Sequence, residues 1–409
     1  MRRSLLSFAL AAVTVAATLA PAASASATEP GAEEIDYHEW SGVSAFHRGE
    51  ADGVRATAAG LRLTRPSRAD DGSEYGTWTS PWYTPGFDAS ELIASWNADT
   101  PDGTWITVEA SARTGGGELT AWYVLGRWSF GDGDIERTTV AGQRDEHAAV
   151  YVDTLAAADG VALQSYRLRV TLHRAELSRA TPTVRALGAM TSAVPERFTV
   201  PTSEPGVASG IELAVPRYAQ NLHTGNYPEY GGGGQNWCSP TSTEMVVEYW
   251  GRGPDAAELS WLPGDYPDPT VAHAARHTYD YSYEGTGNWP FNTAYAAHYG
   301  LRGHVTRLHS LAELERYIAR GIPVVTSVSF LEKELDGAGY GTNGHLMVVI
   351  GFTPEGDVIV NDPASDSNDG VRNVYRRDQF ETVWQRTKRH TASGGVAGGP
   401  GGIVYVIRP

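Results

Sequence analysis

The 409-residue sequence predicts two domains, an N-terminal all-β sandwich or jelly roll followed by an α+β domain. Three observations carry this prediction. A chain of this length divides into two or three domains at about 100–200 residues each. Alternation of period two, broken by regular turn signals, fills residues 36–192. Beyond residue 212 helical patterns come first and short strands follow, which is the texture of α+β domains.

The chain opens with Arg2 and Arg3, the apolar run Leu5–Leu19, and the small-residue sites Ala23-Ser24-Ala25 and Ala25-Ser26-Ala27. This reads as a secretory signal over residues 1–27, so the protein is expected to be secreted, with no membrane segment after cleavage. In residues 36–192, Ser95–Asn97, Trp105–Arg113, Ala121–Leu125, Ala149–Val152, Tyr166–Leu172 and Val184–Met190 read as strands. Pro101-Asp102-Gly103, Gly115-Gly116-Gly117, Gly131-Asp132-Gly133 and Asp159-Gly160 are the turns between them. Trp78, Trp82, Tyr83, Trp122 and Trp128 read as core and edge aromatics in preference to a sugar-binding platform. Residues 193–211, with Pro195, Pro201, Pro205 and Gly206, form a linker or strap.

Residues 212–409 hold helix candidates at Pro240–Trp250, Pro269–Tyr281, Phe291–Tyr299 and Leu311–Arg320, the last two stopped by Gly300 and Gly321. Strands are expected at Val324–Phe330, Leu346–Phe352, Val358–Val360 and Ile403–Ile407, the last preceded by a flexible glycine-rich loop, Gly394–Gly402.

Composition narrows the function. The net charge of −16, with Lys333 and Lys388 the only lysines, argues against nucleic acid and anionic membranes as partners. A single cysteine excludes an internal disulfide, a zinc ribbon, an iron–sulfur cluster and a CxxC redox pair. Secreted proteins usually use disulfides, so a lone thiol in an exported chain calls for another role. That thiol, Cys238, follows Gly232-Gly233-Gly234-Gln235-Asn236-Trp237, and Pro240 suits the first turn of a helix. At a helix N-terminus the peptide dipoles favour a thiolate, the nucleophilic form.

A nucleophilic cysteine needs a base. His345 follows the glycine-rich stretch Gly337–Gly344 and opens the apolar run Leu346–Ile350, so a strand would hold it at a cleft. The next apolar run ends in Asn361-Asp362-Pro363. Paired strands would bring Asn361 or Asp362 beside His345, to accept its Nδ1–H and fix the tautomer. Cysteine, histidine, then Asp or Asn is a papain-type order.

These residues, with Val215-Pro216-Arg217-Tyr218-Ala219-Gln220 upstream and Tyr375–Phe380 with Trp384 downstream, resemble the C39-like cysteine peptidases of the papain-like superfamily over about 212–409. The resemblance implies a papain-like domain with Cys238 as nucleophile, His345 as general base and acid, and Asp362 as the orienting residue. It also implies an oxyanion-hole glutamine before the cysteine. Gln220 matches the Val-Pro-x-x-x-Gln motif but lies 18 residues upstream, whereas Gln235 lies three upstream without the motif. Ser239 stands where the family carries glycine.

The implied reaction is acyl transfer through a thioester, with no cofactor and no metal, by a monomer acting on a peptide or protein, cell-wall peptides included. A non-enzymatic extracellular or cell-wall binding protein with a degenerate domain is the alternative, as is a papain-like transpeptidase or transglutaminase. His273 and His277 share a helix face but lack the glutamate of HExxH, and read as surface histidines. Asp70-Asp71-Gly72 and Asp366–Asp369 do not fit the EF-hand spacing and read as solvated loops. Arg386–His390 reads as a solvated basic helix end.

Overall fold

The computed structural model describes residues 34–409, so the signal expected over 1–27 lies outside the described residues. The alternating first half forms two antiparallel sheets. One has the order Ala148–Tyr151, Thr154–Ala157, Glu91–Asp99, Thr183–Ala193, Gly60–Leu63, Val54–Thr57, with Glu34–Ser41 also pairing Thr183–Ala193. The other runs Glu50–Asp52, Glu74–Thr79, Leu163–Arg174, Thr104–Thr114, Tyr123–Trp128, with Ser67–Arg68 beside Glu74–Thr79. The pattern works as period two demands: Ile106, Val108, Ala110 and Ala112 are buried, while Trp105, Thr107 and Glu109 on the other face are only partly covered. Trp78 and Trp128 are core residues. Trp82 and Trp122 lie under the guanidinium groups of Arg113, Arg167 and Arg169 at 4.2–4.8 Å, which occupy their ring faces.

The second half holds a six-stranded antiparallel sheet, ordered Arg302–Arg307, Ile403–Arg408, Val324–Phe330, Thr342–Phe352, Val358–Asn361, Arg372–Tyr375. Val324–Phe330 is buried along its whole length because both sheet faces are covered. Val325, Leu346, Val348 and Ile350 share a core with Met245 and Val246 of the helix Cys238–Tyr249. Val324, Val328, Met347 and Val349 pack instead against Leu311, Leu314 and Ile318 of Leu311–Ile318, and Phe380 and Trp384 of Arg377–Gln385. The Ser310 side chain caps the first of these helices, accepting from the Glu313 N–H at 3.2 Å. Helices Pro269–Thr278 and Trp289–His298 end one to three residues earlier than the sequence suggests.

The two halves form one compact unit, Glu33–Pro409, and share one hydrophobic core. Trp96 and Trp128 of the sandwich pack edge-on and tilted against Phe291, with ring centroids 6.0 and 5.3 Å away. Gly126 is required there: a Cβ would sit 3.1 Å from the Phe291 ring. The Asn97 amide pairs with the backbone of Gly303 like one more strand residue, at 2.7 and 3.2 Å. That strand, Arg302–Arg307, has no apolar alternation to announce it, because sandwich side chains satisfy its backbone.

Arg137, fully buried, donates to the carbonyls of Ser129 and Phe130 and, across the boundary, to those of Tyr279 and Arg276. His273 and His277 are not surface residues: the sandwich covers them. His273 is 1% exposed, and the Phe130 ring stacks on His277 at 4.3 Å and on His298 at 3.5 Å.

Residues 193–211 act as a strap. The Glu381 carboxylate accepts from the Ser203 N–H and hydroxyl, and Glu315 accepts from the N–H groups of Gly206 and Ala208. The Gly394–Gly402 loop carries a short strand, Val396–Gly398, paired with Lys388–His390. Arg386 and Arg389 are buried rather than solvated, Arg386 against the Glu334 carboxylate at 2.7 Å and Arg389 against Asn343 at 3.1 Å.

Candidate active site

Each neighbour of Cys238 is pinned before the thiol is considered. Trp237 is fully buried among Leu262, Val271, Ala272 and Ala275, and its indole N–H donates to the Tyr230 carbonyl at 2.6 Å. The Ser239 hydroxyl meets the Tyr405 hydroxyl at 2.8 Å, and Ser242 donates to the Leu346 carbonyl at 3.0 Å. Cys238 is thereby fixed as the first residue of the helix Cys238–Tyr249, half-buried, beside the strand that carries His345.

His345 lies within that strand, Thr342–Phe352, which begins three residues before it. Its Nε2 is 2.8 Å from Asp362 Oδ1. The sequence argument gave the carboxylate the Nδ1–H; in the structure the ring nitrogen that meets Asp362 is Nε2. Cys238 and His345 line the same cleft, near enough for the charge of each to act on the other. Asn361, the other candidate, faces away and donates to the carbonyls of Val215 and Pro216.

The electrostatics follow from burial and pairing. Burial opposes the thiolate, but the hydrogen bond and charge of His345 outweigh it and hold Cys238 below an ordinary thiol. Burial likewise opposes the imidazolium, and Asp362 and Cys238 overcome it, raising His345 to about 10. Asp362 is held below the usual carboxylate range, since His345 more than offsets its burial. Its second oxygen accepts from two phenols, Tyr340 at 2.9 Å, absent from the sequence argument, and Tyr375 at 2.8 Å, named there only as part of the family's closing segment. Tyr340 sits in the glycine-rich stretch before His345, and the only signal for it was an aromatic ring in an otherwise small, polar segment.

Both candidate glutamines border the cleft, in different states. Gln220 is 4% exposed; its backbone N–H donates to the Pro363 carbonyl at 2.9 Å and its amide nitrogen to the Gln235 carbonyl at 2.8 Å. Residues 221–234 loop out and return, and Gly234 closes the loop against Gln220, where a Cβ would lie 2.5 Å from the Gln220 carbonyl oxygen. Gln235 is exposed, its amide engaged by the Gly225 N–H and the Gly232 carbonyl. Cys238 and His345 lie in a cleft of about 1050 Å³ that also takes in Tyr283, Trp289 and Tyr340. Among the described residues no group of three or more His, Cys, Asp or Glu is placed to hold a metal ion.

Comparison with known proteins gives a family for each half. Residues 36–192 match the model of the Peptidase C39 N-terminal domain, and residues 212–392 that of the Peptidase C39-like family. No curated protein matches the chain. Among solved structures, one described as a C39-like peptidase from Bacillus anthracis is 22% identical, with a TM-score of 0.28, over 48% of this chain and 96% of that one. Another, of carbohydrate-binding modules from the β-sandwich superfamily, is 12% identical with a TM-score of 0.20, over 38% of this chain and 56% of that one. With its two halves matching the N-terminal domain and the peptidase-like domain in turn, the chain belongs to the C39-like peptidase family.

Proposed function

We propose that this protein is a secreted cysteine peptidase, or a related amide hydrolase, working through Cys238, His345 and Asp362. The observation that carries the reading is the position of His345, bonded to Asp362 at 2.8 Å and bordering the same open cleft as Cys238. The Cys238 thiolate attacks the carbonyl carbon of a bound amide, and His345 passes its proton to the leaving amine. Water then hydrolyses the thioester, with His345 as the base. The Gln220 amide is the oxyanion donor, because it is buried and held in place by the Gln235 carbonyl, whereas Gln235 is exposed on its loop. The substrate is a peptide or protein outside the cell. Export rests on the Arg2-Arg3, apolar run and Ala-Ser-Ala pattern of the first 27 residues.

Alkylation of the purified protein and cleavage of a peptide mixture test this together. Cys238 should alkylate rapidly near pH 6, and His345→Ala should slow it toward an ordinary thiol with a pKa of about 8.5. Cys238→Ala should abolish peptide cleavage. A thiol indifferent to His345, in a protein that cleaves nothing, would favour a binding protein with a degenerate peptidase domain.

A further inference from the structure

The far wall of the cleft comes from the sandwich. Tyr151, Val152, Asp153 and Thr154 border the same cavity as Cys238 and His345. They form the tip of the hairpin between Ala148–Tyr151 and Thr154–Ala157, where Tyr151 pairs with Thr154 and only Val152 and Asp153 make the turn. Val152 has φ of 56°, in the left-handed region that a β-branched residue adopts only at a cost. Such a conformation persists where the surroundings fix it, and here they do. Asp153 is buried, and its carboxylate accepts the Trp289 N–H at 2.9 Å, at the start of the helix Trp289–His298, and the Thr154 hydroxyl at 3.1 Å.

A second tie fixes the opposite side of this wall. The Asp280 carboxylate accepts from the N–H and hydroxyl of Thr139 in the sandwich at 3.1 and 2.9 Å. It also accepts the Ser282 and Tyr283 N–H groups at 3.1 and 3.2 Å. The loop that carries Tyr283 and Glu284 is therefore registered against the sandwich.

What this rigid frame displays is two exposed phenol rings. Tyr151 is 56% exposed and Tyr283 48%, and Tyr283 lies close enough to Cys238 and Asp153 to feel the charge of both. The Arg144 guanidinium sits 5.7 Å from the Tyr151 ring and donates to its hydroxyl at 2.6 Å, fixing the ring without itself bordering the cavity. The residues around the cavity include Asp153 and Glu284 and no lysine or arginine. Aromatic faces beside carboxylates attract a positively charged group, and with Arg144 over the Tyr151 ring the open face is that of Tyr283, next to Glu284.

We propose that the hairpin tip Tyr151–Thr154 is a specificity-determining wall of the cleft, and that with Tyr283 and Glu284 it selects polypeptides carrying a lysine or arginine side chain beside the cleaved bond. The proposal rests on the peptidase reading above. It gives the sandwich a place in substrate recognition, not only in support.

The test is digestion of a defined peptide mixture by the full chain, with cleavage sites read by mass spectrometry. Lys and Arg should be enriched roughly tenfold over Asp and Glu within two residues of the cleaved bonds. Glu284→Gln and Tyr151→Leu should each lower that enrichment, and together bring it near unity. Cys238 alkylation by iodoacetamide should keep its wild-type rate in both, which shows that fold and thiol are intact. Cleavage without cationic enrichment, or enrichment unchanged in the double variant, overturns the proposal. If Cys238→Ala cleaves as the wild type does, the peptidase reading itself fails, and that result is separate from either outcome.

Discussion

His345 Nε2 and Asp362 Oδ1 lie 2.8 Å apart, 4% and 2% exposed, one inside a strand and the other just past the end of its neighbour. A buried carboxylate facing one ring nitrogen and a thiol bordering the same cleft stabilise an imidazolium–thiolate pair. The ion pair should therefore span a wide pH range. Alkylation of Cys238 should fall only on the acid side, as the thiolate is protonated below the ordinary thiol value. Amide cleavage should fall there too, and again on the alkaline side as His345 loses its proton near pH 10. Asp362→Asn should lower the alkaline limit, because the carboxylate that raises His345 is gone, and lower kcat/KM by roughly tenfold or more. Identical alkaline behaviour in the two assays would contradict the acid role of His345.

Tyr340 and Tyr375 both donate to the free oxygen of Asp362. They hold the carboxylate ionised and aimed, and they touch no substrate in this scheme. Hydrogen bonds to a charged group are worth about 1.5–3 kcal/mol, so Tyr340→Phe and Tyr375→Phe should each cost roughly tenfold in kcat/KM. The alkaline limit should move down in step. A rate loss without that movement would make them packing residues only.

Gln220 and Gln235 should separate clearly. Gln220→Ala should lower kcat by about 10²–10³ with little change in KM, as the loss of an oxyanion donor does. Gln235→Ala, which loosens an exposed loop, should cost less than about tenfold. The reverse order would move the oxyanion hole to Gln235.

The covered histidines make the molecule acid-labile. Burial, the largest cause at each, lowers His273 to about 3 and His298 to about 4, and depresses His277 well below its ordinary value. Unfolded, all three bind protons below about pH 6.5. The unfolded state therefore takes up more protons there, and stability falls as pH drops from about 6.5 toward 4. Asp153, raised by burial to about 6, and Glu244, also raised by burial, run the other way, but His173, His223 and His304 are lowered by burial as well and add to the first three. Calorimetry across pH 7 to 4.5 should show Tm declining, and His298→Gln should flatten the slope. A level Tm would refute this.

Arg137 ties the halves through four carbonyls. Arg137→Met should cost at least about 2 kcal/mol, because buried acceptors are left unpaired. The wild-type chain should unfold in one transition by calorimetry. Two separated transitions would show that the halves are independent.

Much of this was legible because local rules dominate locally. Alternation revealed the sandwich strands, and Gly300 and Gly321 marked helix ends. Cys238, His345 and Asp362 each carried a signal of their own: a helix start, a strand entrance, a strand exit. What escaped depends on distant chain segments. Ring orientation at His345 follows from where Asp362 arrives. Tyr340 gains meaning only when its loop folds over Asp362. His273 and His277 looked solvated because nothing on their helix tells that Phe130, some 140 residues earlier, lies over them. Arg302–Arg307 is polar in sequence and a strand in fact, since its partners come from Ser95, Asn97 and the far end of the chain.

Residues 403–408 occupy an interior place in the third sheet, between Arg302–Arg307 and Val324–Phe330, and Tyr405 braces Ser239 beside the thiol. A ribosome delivers these residues after every other part of that sheet. Until they emerge, the two flanking strands have a gap between them and the nucleophile's helix has lost its support from below. A chain that stops short of these residues carries the thiol and the imidazole but not the strand that braces the helix behind them.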